Sequence, residues 1–334
     1  MKVAVIGAGL AGLAVSCFLL DRPGVEVTLF DPKGIGGGAS GASTGLLHPF
    51  CARLAIKSWL ADEAMQEALF LLDRAEAALQ CKAAVRSGIL RLAMTKAQQE
   101  VFRVRAQTHQ EVLWLEPDEV QEKAPHAKAY PGLWIASGVT LFPKLYLQGL
   151  FLHCKTRGMK FEPHKIESLD ALSHFDQIIL CTGFDVQQFP LCSSFILEPT
   201  KGYALRCKCN EKGLPFSLIA SGHISVAEEP NTCLVGSTYE HNFQDLSADP
   251  KAIQELIGKV QTFYPNAGSF EILEVMIGAR TSIPKGYRPI AERISERVSL
   301  FTGLGSRGHL YHGLLGKRMA EICFDSTLEN GYDR

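Results

Sequence analysis

The chain has 334 residues, 46% of them hydrophobic and 21% charged, with 34 Lys and Arg against 35 Asp and Glu for a formal net charge of -1. That length suggests two domains or one large one, and the composition excludes a disordered chain and shows no wholesale attraction to nucleic acid or membrane. Ten cysteines without a C-x-x-C exclude a zinc ribbon or a redox pair and fit a reducing, cytoplasmic setting.

Residues 3–20 carry no charge and follow Lys2, the pattern of a signal peptide or a membrane span. Gly7, Gly9 and Gly12 inside that run favour a soluble reading. Residues 3–6 are wholly apolar and β-prone, which predicts a strand buried on both faces. Residues 10–20 follow as a buried helix and 25–30 as a second strand, a βαβ unit of about 30 residues. Residues 34–45 are rich in Gly, Ala and Ser. Apolar spacing predicts an amphipathic helix over 56–79, strands at 88–94 and 133–136, and a helix opened by Pro143 and ending near Gly158. Strands are expected at 175–181, 203–209 and 234–239. A helix capped by Asp249 and opened by Pro250 runs to about 263. Strands at 272–283 and 298–301 and a helix over 309–324 complete the chain. The order predicts an α/β nucleotide-binding domain with a β-rich domain inserted in pieces, near 81–139 and 196–295.

Gly7-Ala8-Gly9-Leu10-Ala11-Gly12 matches G-x-G-x-x-G between a strand and a helix, and Asp31 ends the next strand 19 residues beyond Gly12. Gly7 permits the tight turn, Gly9 lets backbone approach a pyrophosphate, and Gly12 lets helix and strand pack closely. The helix N-terminus, at Leu10 and Ala11, presents N–H groups to phosphates, and Asp31 is placed to accept from a ribose diol. Gly41-Ala42-Ser43-Thr44-Gly45 also fits the G-x-S-x-G nucleophile elbow. It lacks the strand directly before it that an elbow needs.

These motifs, with four further stretches, resemble the FAD-dependent D-amino-acid oxidase superfamily. The stretches are the Ser/Gly loop 38–45, Thr182-Gly183 after a central strand, Gly278-Ala279-Arg280, and Gly303-Leu304-Gly305-Ser306-Arg307-Gly308-His309 before the last helix. Within it, Gly45-Leu46-Leu47-His48-Pro49 and Leu304-Gly305-Ser306-Arg307-Gly308 resemble the oxidase half of bifunctional tRNA wobble-uridine modification enzymes. The resemblance implies a stand-alone oxidase. It also implies a Rossmann-like FAD-binding domain (1–80, 140–195 and 296–334) with an inserted, discontinuous antiparallel β-rich substrate domain (81–139 and 196–295). FAD is expected to be non-covalent, contacted by Gly7, Gly9, Leu10, Ala11, Gly12, Asp31, Ser40, Gly41, Ser43, Gly45 and Leu46. Thr182, Gly183, Gly303, Gly305, Ser306, Arg307, Gly308 and His309 complete that set.

The implied reaction is oxidation of a C–H bond next to an amine, giving an imine that water hydrolyses. An unprotonated amine suffices, so no dedicated base is required. Arg280 matches the family position for a substrate carboxylate, which a guanidinium holds as a bidentate pair. Tyr239 is expected to wall the pocket or bond the substrate. Arg307 is expected beside the flavin, where its charge would stabilise the reduced form. His48, His309 and His312 flank the motifs, and none is assigned catalysis. No metal-ligand spacing occurs.

The net charge averages unlike regions. Residues 280–318 hold eight Lys or Arg against Glu292 and Glu296, and residues 82–105 hold six against Glu100 alone. Both stretches suit contacts to RNA phosphates. The expected substrate is a small amine or a modified tRNA, with neither membrane nor metal as partner.

Overall fold

The computed structural model describes residues 1–209, 214–284 and 288–325, so Lys285 and 326–334 lie outside the described residues. Two large sheets organise the chain. The first has six strands in the order Lys160–Glu162, Glu26–Phe30, Lys2–Ile6, Gln177–Leu180, Val298–Thr302, Ile290–Arg293. The first five are parallel and the last joins antiparallel. Because side chains alternate, Val3 and Val5 face a core built with the helices, while Ala4 and Ile6 face a second core under loops and 3-10 turns. Both faces being covered explains the unbroken apolar run at 3–6. Helices Leu10–Leu19, Ala61–Leu79, Pro143–Thr156 and Gly308–Ile322 pack together on the first face. Every residue of Leu10–Leu19 is buried, which accounts for the uncharged stretch that imitates a membrane span. Among the described residues no helix is long and apolar enough to cross a membrane.

The second sheet has eight strands in the order Glu271–Ser282, Glu198–Lys208, Thr232–Gly236, His223–Val226, Ser217–Ile219, Ile89–Leu92, Gly132–Ile135, Val112–Leu115. All its pairings are antiparallel except that of Ser217–Ile219 with Ile89–Leu92. Helix Pro250–Gln261 covers one face, burying Leu256 and Val260 against Tyr203, Leu205 and Val235. Asp249 caps it by accepting the Lys251 N–H at 2.9 Å.

Several elements differ from the sequence-based expectations, three of them in instructive ways. The helix expected from 56 begins at Ala61, because Ala55 (φ 48°) and Leu60 (φ 44°) turn the backbone left-handed and residues 56 and 57 form a short strand. The strand expected over 234–239 stops at Gly236. There the Thr238 hydroxyl, rather than a ladder carbonyl, accepts the Tyr203 N–H at 3.0 Å. Helix Lys96–Thr108 was not expected, although Thr95 and Gln98 form a capping box at its start.

Candidate active site

The glycine motif folds into a cradle. Gly7 sits at φ 111°, open to glycine and strained for other residues, and its N–H bonds the Phe30 carbonyl at 2.7 Å. A Cβ on Gly12 would overlap the Gly7 carbonyl oxygen, and one on Gly9 would lie 2.8 Å from Ser40 Oγ. The Leu10 N–H donates to Ser40 Oγ at 3.1 Å, while those of Ala11 and Gly12 have no intrahelical acceptor. No acid occupies the first turn, so the positive helix end meets no negative side chain there. Asp31 accepts the Ala8 N–H and the Lys33 N–H, each at 2.7 Å, which holds its carboxylate at the edge of this turn.

The loop 34–45 is a folded part of the cradle. The Gly36 N–H bonds the Ala8 carbonyl at 2.9 Å, and the Gly41 N–H bonds that of Gly36 at 3.2 Å. Ser43 Oγ donates to the Ser40 carbonyl at 2.9 Å and contacts His309 Nε2 at 2.9 Å. Ser43 has one hydroxyl proton, so His309 is the donor and its Nδ1 carries the lone pair. That Nδ1 is buried without a partner, as are Thr182 Oγ1 and Thr281 Oγ1. Burial pushes His309 down to about 3, with His312 adding to the effect. Gly183, Gly303 and Gly305 take left-handed φ values of 60°, 78° and 52°. A Cβ-free cradle, a helix N-terminus and three orphaned buried polar atoms fit a dinucleotide such as FAD. The cofactor-contact set expected from sequence therefore converges from four distant segments. Residues Leu46, Ser306 and Gly308 lie within those same segments.

Strand Glu271–Ser282 of the second sheet packs against the turns Gly183–Gln188 and Gly305–Arg307, which follow strands of the first. Gly278 and Arg280 point to one face by the two-residue period. A Cβ on Gly278 would lie 2.7 Å from Ala39 Cα, so this strand rests directly on the loop 34–45. Arg280 donates through Nη1 to Ser237 Oγ at 3.3 Å and through Nη2 to the Thr238 carbonyl at 2.5 Å, and its guanidinium lies 4.4 Å from the Tyr239 ring centroid. Gly202 faces Gly278 in the adjacent strand, and a Cβ there would strike Arg280 Nη2. No carboxylate pairs with Arg280 among the described residues. Burial lowers its pKa, and the Tyr239 phenol opposes that shift.

Sequence reasoning gives no role to three neighbours: it leaves His48 unassigned, counts Arg91 only as part of a basic stretch and passes over His223. His223 Nε2 contacts Thr44 Oγ1 at 2.6 Å, which ties the second sheet to the loop 34–45. Burial pushes it down to about 3, with Arg280 adding its charge. His48 is likewise pushed down to about 3, by burial and then by Arg91 and His223. Arg91 is buried, with Nη1 donating to the Phe50 carbonyl at 2.6 Å and Nη2 to that of Ala52 at 2.5 Å. These residues lie on strands, or beside a motif, with no local signal of their own. Only His48, inside Gly-Leu-Leu-His-Pro, had one.

Arg307 lies by the Tyr311 phenol, which burial pushes up and Arg307 pulls back, and the Tyr311 hydroxyl donates to the Trp59 carbonyl at 2.9 Å. The two basic stretches are largely occupied within the chain. Lys82 and Arg86 pair with Glu76 at 3.1 and 3.0 Å, Arg103 with Glu116 at 3.4 Å, and Lys317 with Glu67 at 2.6 Å. Arg297 donates to the Phe175 carbonyl at 2.6 Å. Among the described residues no cluster of His, Cys, Asp or Glu could hold a metal.

Comparison with known proteins agrees with this architecture. The chain is 27% identical to the tRNA 5-methylaminomethyl-2-thiouridine biosynthesis bifunctional protein MnmC of Thiobacillus denitrificans, over 98% of this chain and 57% of that protein. It is 25% identical to the protein of the same name from Marinobacter nauticus, over 96% of this chain and 55% of that one. It therefore spans a little more than half the length of these curated relatives. The crystal structure of glycine oxidase from Geobacillus kaustophilus superposes with a TM-score of 0.85 at 18% identity, covering 99% of this chain and 96% of that one, which shows a shared fold. The model of the DAO family, FAD dependent oxidoreductase, matches residues 2–322, and the chain belongs to that family.

Proposed function

We propose that this protein oxidises the C–N bond of a glycine-like secondary amine, the carboxymethylaminomethyl group of a tRNA wobble uridine, leaving the aminomethyl uridine. The observation that carries the reading is Arg280: a half-buried guanidinium braced from behind by Ser237 and Thr238, with no acid paired to it among the described residues. A permanent charge held in this way suits a substrate carboxylate, since the remaining N–H donors match its two oxygens. The names of the two curated relatives favour a tRNA-borne amine. Tyr239, 60% exposed and stacked on Arg280, puts the clamp close to the surface, within reach of a side group carried on a macromolecule.

Non-covalent FAD in the glycine cradle supplies the two-electron acceptor. The chain supplies position and charge. Arg280 holds the carboxylate. His48 and His223 stay neutral and add no positive charge beside the amine. A surplus of fixed cations disfavours an ammonium, so the unprotonated amine is the form the site accepts. Loss of the C–H hydrogen and the N–H proton leaves an imine, and water splits it into the aminomethyl product and glyoxylate.

Anaerobic loss of the flavin absorption tests the reading, with glycine, sarcosine, D-alanine and carboxymethylaminomethyl-modified tRNA as reductants. Bleaching by the modified tRNA, with the aminomethyl nucleoside found by mass spectrometry, is expected. Bleaching by a free amino acid and not by the tRNA overturns it in favour of a small-amino-acid oxidase. Arg280→Ala should slow bleaching by about a thousandfold while the flavin spectrum persists.

A further inference from the structure

The segment from His48 to Leu60 joins the loop 34–45 to helix Ala61–Leu79. It holds three of the five non-glycine residues with left-handed φ among the described residues: Ala52 (59°), Ala55 (48°) and Leu60 (44°). Such backbone persists only where its surroundings hold it. At the far end the Ser58 N–H bonds the Pro49 carbonyl at 2.8 Å, the Tyr311 hydroxyl bonds that of Trp59 at 2.9 Å, and Lys57 pairs with the carboxylates of Asp62 and Glu111 at 2.9 and 2.8 Å. The near end is held by a charge. Arg91, 6% exposed on the strand Ile89–Leu92, grips the Phe50 and Ala52 carbonyls with separate guanidinium nitrogens.

A buried guanidinium facing carbonyls, with no carboxylate paired to it among the described residues, is a costly tie. A neutral amide such as Gln98, which donates to the Arg53 carbonyl at 3.4 Å nearby, makes a tie without that cost. The cation therefore has a second use. His48 begins this segment, is 7% exposed, and has an Nδ1 with no partner. The register of the second sheet sets Arg91 opposite Ile219, Ile219 opposite His223 and His223 opposite Gly236, the residue before the Ser237 that braces Arg280. The two cations act on neighbouring imidazoles, Arg91 on His48 and Arg280 on His223, each adding to the effect of burial.

We infer that Arg91 is a positioning residue of the substrate site, clamping the strained segment that carries His48 and adding its charge to that of Arg280 in one anion-selective interior. The inference rests on reading that interior as the site of an anionic amine. Arg91→Lys keeps the charge and cannot span both carbonyls, whereas Arg91→Met removes the charge as well.

The test uses the FAD-loaded enzyme and three readouts: acetate affinity from perturbation of the flavin spectrum, FAD affinity from flavin fluorescence, and the His48 titration by histidine-selective NMR. Acetate affinity should fall by about tenfold in Arg91→Lys and further in Arg91→Met, with FAD affinity within about twofold of the parent. The His48 midpoint should rise towards that of free histidine in Arg91→Met and stay low in Arg91→Lys. Unchanged acetate affinity in Arg91→Lys overturns the inference, and so does a parallel loss of FAD and acetate, which marks a general scaffold defect. Should Arg91→Met fail to fold, Arg91→Lys alone decides. None of these readouts needs turnover, so failure of every amine to bleach the flavin would sink the proposed function and leave this test intact.

Discussion

Around helix Leu10–Leu19 the chain presents main chain: glycines at 7, 9 and 12, helix N–H groups, and a loop whose own amides fold it. Around Arg280 it presents side chains: a buried and a half-buried guanidinium, two neutral imidazoles and a stacked tyrosine, drawn from strands of the second sheet, from the stretch after Gly236 and from the His48 segment. The first region works by leaving side chains out, which costs little solvation. The second works by burying polar groups, which costs a great deal and makes it sensitive to pH and charge. Adding a single methyl group should break the first region, and changing a proton should disturb the second.

Gly12→Ala is the largest expected effect. Its Cβ would overlap the Gly7 carbonyl oxygen, which belongs to the same turn and cannot retreat without opening the cradle. FAD affinity should fall by about a hundredfold or more, read as flavin per mole of purified protein.

The second contrast is in proton linkage. His48, His223 and His309 stand at about 3 and His312 at about 4, all lowered first by burial. Each is neutral in the folded protein where the unfolded chain would be protonated, so stability is complete above about pH 6.5 and is lost as pH falls towards 3. Each contributes a slope of up to about 1.4 kcal/mol per pH unit in that window. Denaturant midpoints at pH 7, 6 and 5 should fall progressively, and His223→Gln should flatten the decline. A midpoint independent of pH between 7 and 5 would refute the neutral assignment.

The smallest effect sharpens the account of the strained segment. Ala52 is exposed at φ 59°. Ala52→Gly relieves about 1–2 kcal/mol of left-handed strain and adds about 0.5–1 kcal/mol of unfolded-state entropy. The melting temperature should rise by about 1–2 °C. A fall would show that the Arg91 grip depends on the alanine.

This division also decides what the sequence made legible. The cradle was readable because its three glycines fall within six residues and its physics is local. The Gly278–Arg280 pair was picked out by the family resemblance alone, and the two-residue period of the strand gives both residues one face, with Gly278 against Ala39 of the loop 34–45. The Arg91, His48 and His223 cluster was not, because 175 residues separate His48 from His223 and only sheet pairing brings them together. The basic stretches are less free than their charge count implies, for a related reason. Counting charges along the chain cannot show that Arg91 is buried, that Arg297 serves backbone carbonyls, or that Lys317 is matched by Glu67. The start of helix Ala61–Leu79 was placed too early because apolar spacing does not register the left-handed residues at 55 and 60.

The order of strands in the first sheet has a consequence for synthesis. Lys2–Ile6 is made about 175 residues before its neighbour Gln177–Leu180. That strand in turn waits for Val298–Thr302, and the pocket for the start of the helix Gly308–Ile322. The eight-stranded sheet is encoded between these partners. An emerging chain therefore pairs Lys2–Ile6 early on one edge, with Glu26–Phe30, and carries the other edge open until Gln177–Leu180 is made, and no cofactor can seal the fold until the last strand arrives. Translation speed and chaperone supply, rather than flavin supply, should limit the yield of active protein.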